Sequence, residues 1–344
     1  MIGPTVARLL DPRRLSRLEV RRTFDALLAR DATDAERTAV LVGLTARGES
    51  EEELASFALE MRRRARPFPL AHGDRPVDLC GSGGAPRPSF NVSTVSAFVV
   101  AAAGASVVKH GNRSARGLCG SSDLLEALGL PVTTSLTFPR ATYRKFRLAF
   151  LHAPLFHPAT RAVASARKIL GIPTLFNRLG PLSNPARVPF QVVGVPNVRA
   201  AERSAKVLPR LGVRRGLAMT STEGCDEFSP RGRTTAIVWT AERVRRLSLR
   251  PEQFLPVEDR RGAWTSLPPS EAAAEAERVL AGGGGARRGS VLLTSGAALW
   301  VSGRAATFRD GVKNAREALD DGRAERLLDQ LRTLAREDRA AKGA

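Results

Sequence analysis

Three glycines and three small polar residues surround one predicted strand-to-helix turn, directly after the apolar run Val77–Cys80. They are Gly81, Gly83, Gly84, Asn91, Ser93 and Thr94. Glycines let a backbone turn tightly and bring its N–H groups against a ligand, and a helix N-terminus favours an anion. Neither a P-loop sequence nor a G-x-G-x-x-G fingerprint stands at this turn. The pattern therefore predicts a phosphate site or, alternatively, a plain turn with Asn91 or Ser93 as the helix cap.

A cationic run follows the next predicted strand. Residues Lys109 to Arg113 read Lys-His-Gly-Asn-Arg and come directly after Val107-Val108. In open α/β sheets, ligands bind beyond the carboxyl ends of the strands. Two cations, an imidazole and an amide at such a position suit a phosphorylated or acidic ligand, and a solvated basic loop is the alternative.

A pair of carboxylates, Asp226-Glu227, lies beyond another predicted strand, Gly216–Thr220. Two adjacent carboxylates at such a place can hold Mg²⁺, a hard cation that keeps several waters. An isolated Asp-Glu pair is usually solvated surface. Together, however, the three motifs provide a site for an anion, a cationic loop and metal ligands. These are the groups that would bind a Mg²⁺-bound polyphosphate substrate.

The N-terminal segment is predicted to be helical. Ser16, Thr33 and Ser50 each stand three positions before a glutamate and are followed by apolar residues at helical spacing, which is the pattern of a capping box and an amphipathic helix. We expect a small helical domain over residues 1–70, joined by a helical segment near 155–185.

Strands that alternate with helices dominate the rest of the chain. This order predicts an α/β fold: a large domain over residues 75–344 with a mostly parallel central sheet. The short apolar run Val291–Leu293 is predicted as one of its strands. The scaffold would place the ends of several strands, and the motifs that follow them, along one edge of the sheet.

Composition limits the possible functions. The 344 residues carry 54 Lys and Arg against 34 Asp and Glu, a net charge of +20, and only six of these cations are lysines. The excess could serve nucleic acid or a polyanionic substrate, or it could reflect a coding bias towards arginine. No apolar run is long enough to span a membrane, and no signal peptide is recognised. The three cysteines, Cys80, Cys119 and Cys225, form no metal or disulfide pattern, so we expect a cytoplasmic protein.

The motifs in this order resemble the anthranilate phosphoribosyltransferase family, from about residue 7 to about residue 334. The resemblance rests on several runs of sequence: 81–84, 89–94, 109–113, 120–129, His157-Pro158-Ala159, 175–185, Asp226-Glu227 and 311–317. It implies a small helical domain and a large α/β domain like those of nucleoside phosphorylases and phosphoribosyltransferases. It also implies a homodimer formed through the helical domain.

The resemblance implies a reaction as well: transfer of a 5-phosphoribosyl group from phosphoribosyl pyrophosphate to the amine of an aromatic acid, with anthranilate as the default acceptor. Residues at the matching positions would hold the donor: Gly81, Gly83, Gly84, Asn91, Ser93, Thr94 and Lys109. Ser93, Asp226 and Glu227 would contact Mg²⁺. His110, Asn112 and Arg167 would bind the acceptor, and a guanidinium such as that of Arg167 pairs well with a carboxylate.

The chain departs from the family at the donor loops. An aspartate of the family pattern is Ala85 here, and Pro86 follows it and removes one N–H donor. The family's Ser-Ser pair is Arg116-Gly117, and a common arginine is Pro173. Loss of a negative charge at Ala85 and gain of a positive one at Arg116 both favour a more anionic ligand, so we expect Arg116 to contact the donor.

The implied mechanism is dissociative, with an oxocarbenium-like ribose and a weakly basic aromatic amine that needs no deprotonation before attack. Accordingly, no residue is predicted to act as a covalent nucleophile or as an acid or base. Two other functions stay open at this point. One is a non-catalytic protein that binds nucleic acid through its basic surface, and the other is a pyrimidine nucleoside phosphorylase.

Overall fold

The structure of this chain is a computed structural model, and it describes residues 2–82, 86–114 and 118–341. Four positions that the sequence analysis singled out, Gly83, Gly84, Ala85 and Arg116, therefore lie outside the described residues. So does Gly117.

Four helices open the chain: α1 (Gly3–Leu10), α2 (Arg17–Leu28), α3 (Asp34–Arg47) and α4 (Glu51–Arg63). The predicted capping boxes are confirmed, because Ser16, Thr33 and Ser50 each accept a hydrogen bond from the backbone N–H of the glutamate three positions on. These helices bury Phe24 and Phe57 completely between them. Caps fix where each helix begins, and the buried apolar faces fix how the helices pack.

One sheet of seven strands forms the centre of the remainder. Its strands are β1 (Val77–Gly81), β2 (Val107–Gly111), β3 (Leu148–His152), β4 (Phe190–Gly194), β5 (Arg215–Ser221), β6 (Thr234–Trp239) and β7 (Val244–Leu249). They lie in the order β3-β2-β1-β4-β5-β6-β7. The first five are parallel, and β6 and β7 are antiparallel at one edge. The predicted mostly parallel sheet is thus confirmed.

Eleven further α-helices occur among the described residues. They are α5 (Val92–Ala102), α6 (Ser121–Ala127), α7 (Phe138–Phe146), α8 (Ala153–Phe156), α9 (Ala164–Leu170), α10 (Leu175–Leu179), α11 (Val198–Arg210), α12 (Pro269–Leu280), α13 (Ala286–Val301), α14 (Phe308–Asp320) and α15 (Arg323–Ala341). Helices α5 and α13 join the core on one face of the sheet. Helices α9 and α10 pack with the N-terminal helices in a second apolar cluster, which reaches the other face at β4. Among the described residues, no helix combines the length and apolarity that a bilayer crossing requires.

The prediction of a strand at Val291–Leu293 is wrong, because these residues lie in the middle of α13. That helix is buried on nearly all sides. A helix without a polar face shows no amphipathic period, and a short apolar run within it cannot be distinguished from a buried strand by pattern alone.

Candidate active site

Lys109 lies in the middle of β2 and connects three elements. Its Nζ donates hydrogen bonds to the carbonyl oxygen of Leu79 in β1, at 2.5 Å, and to Oγ of Ser93 in the first turn of α5, at 3.1 Å. The side chain is buried, and a buried ammonium group requires partners such as these. The structure thus places a cation beside the N-terminus of α5, as the sequence pattern predicts.

The carboxylates Asp226 and Glu227 reach the same place from the loop after β5. Both residues are buried. Burial and the neighbouring Asp226 raise the pKa of Glu227 to about 8, while Lys109 and hydrogen bonds from the N–H and hydroxyl of Ser93 oppose the rise. Oε2 of Glu227 is buried and has no hydrogen-bond partner in the described part of the chain. Two neighbouring buried carboxyls with an unused oxygen fit a divalent cation.

The described residues contain no group of three or more His, Cys, Asp or Glu that could hold a metal ion. A Mg²⁺ ion in this site would therefore take ligands beyond the Asp226–Glu227 pair. Magnesium is usually bound in this way, through one or two carboxylates together with waters and substrate phosphates. These metal ligands are those expected for an ion that enters the site together with a phosphorylated substrate.

Two glycines make room for Asp226. A Cβ atom at Gly81 would lie 2.9 Å from Oδ2 of Asp226, and one at Gly194 would lie 1.6 Å from the backbone oxygen of Asp226. Ser82 donates its backbone N–H to Gly194 O at 2.9 Å, and its hydroxyl lies 3.4 Å from Oδ2 of Asp226. In this structure Gly81 thus brings the carboxylate loop against the ends of β1 and β4. Gly194, at the end of β4, was not predicted as a site residue.

The segment before α5 is fixed by backbone hydrogen bonds. The N–H of Arg87 donates to Gly224 O at 3.2 Å, and the N–H of Phe90 donates to Trp264 O at 2.9 Å. Asn91 stands at the cap position of α5 but makes no side-chain cap hydrogen bond. Its Nδ2 instead donates to Cys119 O at 3.0 Å, and its Oδ1 is buried without a partner among the described residues. The alternative of Asn91 as a plain helix cap is therefore wrong. The first N–H groups of α5 bond within the protein: those of Val92 and Thr94 donate to the backbone oxygens of Phe90 and Asn91, and that of Ser93 donates to the carboxylate of Glu227.

His110, the next residue along β2, lies against another histidine. The rings of His110 and His157 meet edge to face with their centroids 5.0 Å apart. Burial, and then the neighbouring His157, hold the pKa of His110 well below its usual value. Burial lowers the pKa of His157 to about 4. Both imidazoles are therefore neutral near pH 7, although backbone groups of Gly180 at His110, and of Ser183 and Met61 at His157, oppose the lowering of the pKa.

Arg167 and Asn112, the other predicted acceptor residues, lie on different elements. Arg167, in α9, is half-buried, and its Nη2 donates to Oδ1 of Asn177 at 3.4 Å while its guanidinium lies over the ring of Phe176. Burial lowers the pKa of this guanidinium. Oδ1 of Asn112 accepts the backbone N–H of Arg113 at 2.7 Å. The described contacts do not join Arg167 to His110 or Asn112.

Sequence reasoning missed three residues that support these groups. Asp78, a single acid in the apolar strand β1, is buried and accepts hydrogen bonds from the N–H of His110 at 3.2 Å and from Nδ2 of Asn184 at 2.9 Å. Burial raises its pKa to about 6, and Lys109 opposes the rise. His157 is the third, and its signal was the His157-Pro158-Ala159 motif. A lone acid in an apolar strand was the corresponding signal for Asp78.

Comparison with known proteins shows which families the chain resembles. Residues 4–65 match the glycosyl transferase family, helical bundle domain, and residues 73–325 match the glycosyl transferase family, a/b domain. The anthranilate phosphoribosyltransferase of Desulfosudis oleivorans is 39% identical over 332 residues, which are 96% of this chain and 98% of that protein.

Solved structures give the same result. The anthranilate phosphoribosyltransferase of Thermus thermophilus is similar with a TM-score of 0.86 and 35% identity, over 96% of this chain and 99% of the other. The enzyme of that name from Saccharomyces cerevisiae, in complex with PRPP and Mg, gives a TM-score of 0.84 and 25% identity over 98% of each chain.

Proposed function

We propose that this chain, which belongs to the anthranilate phosphoribosyltransferase family, transfers a 5-phosphoribosyl group from phosphoribosyl pyrophosphate to the amine of anthranilate or a related aromatic acid and releases pyrophosphate. The observation that supports this most directly is the meeting of Lys109, Ser93 and the Asp226–Glu227 pair beside the N-terminus of α5. A cation, a helix N-terminus and two buried carboxyls together suit a polyphosphate bound with a divalent metal.

The donor would bind across this group. Lys109 and the positive N-terminal end of the α5 dipole would attract its phosphates, with Asn91 and Thr94 beside them. Gly81, Gly83 and Gly84 would form the turn around the donor. Ser93, Asp226 and Glu227 would hold Mg²⁺, which neutralises charge on pyrophosphate when it is bound. Lys109 would add to that neutralisation, since charge develops on the leaving group as the ribose becomes oxocarbenium-like.

The acceptor would bind on the histidine side. His110 and Asn112 would contact it, and Arg167 would pair with its carboxylate. An aromatic amine attacks without first losing a proton, so the site needs no general base. The neutral state of His110 and His157 is compatible with a role in positioning, because a neutral imidazole does not repel the developing positive ribose.

Assembly and location belong to the same proposal. We assign residues 1–70 to the helical domain, with the segment near 155–185, and residues 75–344 to the α/β domain. Six exposed apolar side chains on or near the helical part support a homodimer through it: Leu10, Leu18, Val42, Leu59, Ile169 and Ile172. Light scattering of the purified chain tests the dimer, and cell fractionation tests the cytoplasmic location.

The activity is tested by incubating the purified chain with Mg²⁺, phosphoribosyl pyrophosphate and anthranilate and following the loss of anthranilate fluorescence. We expect turnover that stops when the metal is chelated. Uridine or thymidine with phosphate serves as the control for a phosphorylase and should release no free base. Absence of turnover with anthranilate and with a panel of aminobenzoates and hydroxybenzoates would overturn the proposal.

A further inference from the structure

A cavity of about 430 Å³ opens between the helical part and the sheet. Its lining includes Leu54 of α4, Arg178 of α10, Val193 of β4 and Arg203 of α11. Its volume is within the range of small-molecule sites. The donor-side groups Lys109, Ser93 and Glu227 and the acceptor-side groups His110 and Arg167 are absent from the described residues that line it. The cavity therefore does not coincide with the site of the proposed reaction, which it adjoins at Ser82 and Asn177.

Three guanidinium groups line this cavity, and none of the described lining residues is acidic. Arg178 uses Nη2 to bind the carboxylate of Glu49, at 2.5 and 2.7 Å. Arg203 uses Nη2 to bind the backbone oxygens of Glu49 and Ser50. Arg199 is exposed and makes no described hydrogen bond. Nε of Arg178 and Nε of Arg203 are buried without a hydrogen-bond partner among the described residues. The three cations, of which Arg178 alone binds the carboxylate of Glu49, thus retain donors for an anion.

The mutual influence of these cations is visible at Arg203. Burial is the first cause that lowers the pKa of its guanidinium, and the nearby Arg178 and Arg199 lower it further, while Glu49 and Glu51 oppose the effect. Like charges held close together in partly buried surroundings repel each other, and an anion bound between them relieves that repulsion.

The rest of the lining is mostly apolar and limits which anion fits. Aliphatic side chains and prolines make up most of it, namely Leu54, Leu182, Val193, Val195, Ala200, Val207, Pro173, Pro181 and Pro196, and the uncharged polar residues Ser82, Asn177, Asn197 and Ser204 complete it. A free phosphate or pyrophosphate would leave this surface uncovered and would bury several charges against it. A carboxylate on an apolar body matches both halves of the lining, because the guanidiniums pair with the carboxylate and the body covers the apolar wall.

We propose that this cavity is a second ligand site, which binds a small monocarboxylate with an aromatic or branched aliphatic body. Two of its lining residues lie near the proposed reaction: the hydroxyl of Ser82 is 3.4 Å from Oδ2 of Asp226, and Asn177 accepts a hydrogen bond from Arg167. These contacts define the necessary competition control, since a carboxylate probe could instead occupy the acceptor site.

The test is calorimetry on the full-length chain with 3-phenylpropionate and 4-phenylbutyrate as probes. The neutral amide of 3-phenylpropionate, inorganic phosphate and pyrophosphate are the comparison ligands. We expect each carboxylate to bind at one site, the amide to bind at least about tenfold more weakly because it lacks the charge-assisted hydrogen bonds, and saturating anthranilate to leave probe binding in place.

Variants identify the site. Arg199→Gln should weaken probe binding roughly three- to tenfold, and Arg199→Gln combined with Arg203→Gln should weaken it by more than about tenfold. Arg210→Gln is the matched control: Arg210 lies on the same helix, bonds Glu52 at the surface and does not line the cavity, so its variant should bind as the parent does. Arg199 makes no described contact, so its variant keeps the test valid if the double variant fails to fold.

Four results would overturn the proposal. One is no carboxylate binding at concentrations that saturate ordinary millimolar sites. Another is equal binding by the parent and the Arg199→Gln and double variants. A third is displacement of the probe by anthranilate together with its loss in Arg167→Ala, which places the probe in the acceptor site. The fourth is binding of phosphate or pyrophosphate, lost in the double variant, in place of the carboxylates.

Discussion

Lys109 and His110 are neighbours in β2, yet their side chains enter two different environments. Successive residues of a strand point to opposite faces of the sheet. Lys109 meets a hydroxyl, a carbonyl oxygen and buried carboxyls, whereas His110 meets a second imidazole. We call these the carboxylate side (Lys109, Ser93, Asp226 and Glu227) and the histidine side (His110 and His157). We count Arg167 with the histidine side only because it is the other proposed acceptor residue.

Burial has one physical effect on both sides, since it disfavours the charged form of every group. On the carboxylate side this raises the pKa of Glu227, but Lys109 counteracts the rise and a bound cation would do so further. On the histidine side burial keeps both imidazoles neutral, and the nearby Arg62 lowers both pKa values further. The comparison indicates that the carboxylate side brings ionisable groups of opposite charge together, whereas the histidine side keeps its two imidazoles neutral although the cation Arg62 lies nearby. In the proposed reaction these would be the sides of the pyrophosphate and of the aromatic ring.

The largest effect is expected from Glu227→Gln. The substitution keeps the shape of the side chain and removes the charge that would hold Mg²⁺, so kcat should fall by at least about 100-fold, as for loss of one group that stabilises a transition state. Steady-state kinetics across a Mg²⁺ titration measure it.

The matched control for that variant is Glu223→Gln in the same loop, where the carboxylate bonds Ser229 and Arg231. It should retain kcat within a few-fold. If Glu227→Gln turns over at a rate close to that of the parent, the carboxylate side has no role in neutralising the leaving group.

On the histidine side, Arg167→Ala should raise the KM for anthranilate by roughly ten- to a hundredfold, the worth of one charge-assisted contact, and leave the KM for the donor unchanged. Such a split would show that the two sides bind different substrates. Lys168→Ala, an exposed neighbour in the same helix, is the control and should alter neither KM. An equal rise in both constants would contradict the division.

The third prediction extends the carboxylate side to Arg116, which lies outside the described residues. Here Ala85 stands where the family pattern has an aspartate, and Arg116 where it has a serine, so both changes add positive charge near the expected donor site. Arg116→Ser should weaken binding of phosphoribosyl pyrophosphate by about tenfold or more in calorimetry with Mg²⁺. Donor affinity equal to that of the parent would mean that Arg116 points into solvent and that Ala85 is a simple loss.

The sequence predicted the carboxylate side better than the histidine side, for a physical reason. Glycines, a helix N-terminus and the position of charges beyond strand ends are local signals, and they sufficed to predict that Lys109, Ser93 and Glu227 meet. The support of Asp78 by Asn184, and the contact of His110 with His157, join residues far apart in the chain. No local period predicts such pairs, and the misassigned Val291–Leu293 shows the same limit for a helix buried all round. The roles in binding remain predictions on both sides.

The last prediction concerns the pH dependence of stability, not of catalysis or binding, on the histidine side. In the folded chain the pKa of His157 is about 4 instead of the usual 6.5, so the unfolded chain takes up a proton at a pH where the folded chain does not. The stability that His157 contributes is therefore complete above pH 6.5 and is lost as the pH falls from 6.5 towards 4, by at most about 1.4 kcal/mol per pH unit. Asp78, with its raised pKa, acts in the opposite direction, so the useful quantity is the difference between parent and variant.

Chemical denaturation of the parent and of His157→Gln, at pH values above, within and below that window, measures this difference. The free energy of unfolding of the parent should exceed that of the variant by a constant amount above the window, and the excess should shrink with acidification through it. Thr160→Ala is the matched control, because Thr160 bonds the backbone oxygen of His157 but carries no titratable group, so its difference from the parent should not change with pH. A difference between parent and His157→Gln that is equally constant would mean that the pKa of the imidazole is the same in the folded and the unfolded chain. Burial would then not keep it neutral, and the contrast between the two sides of β2 would fail.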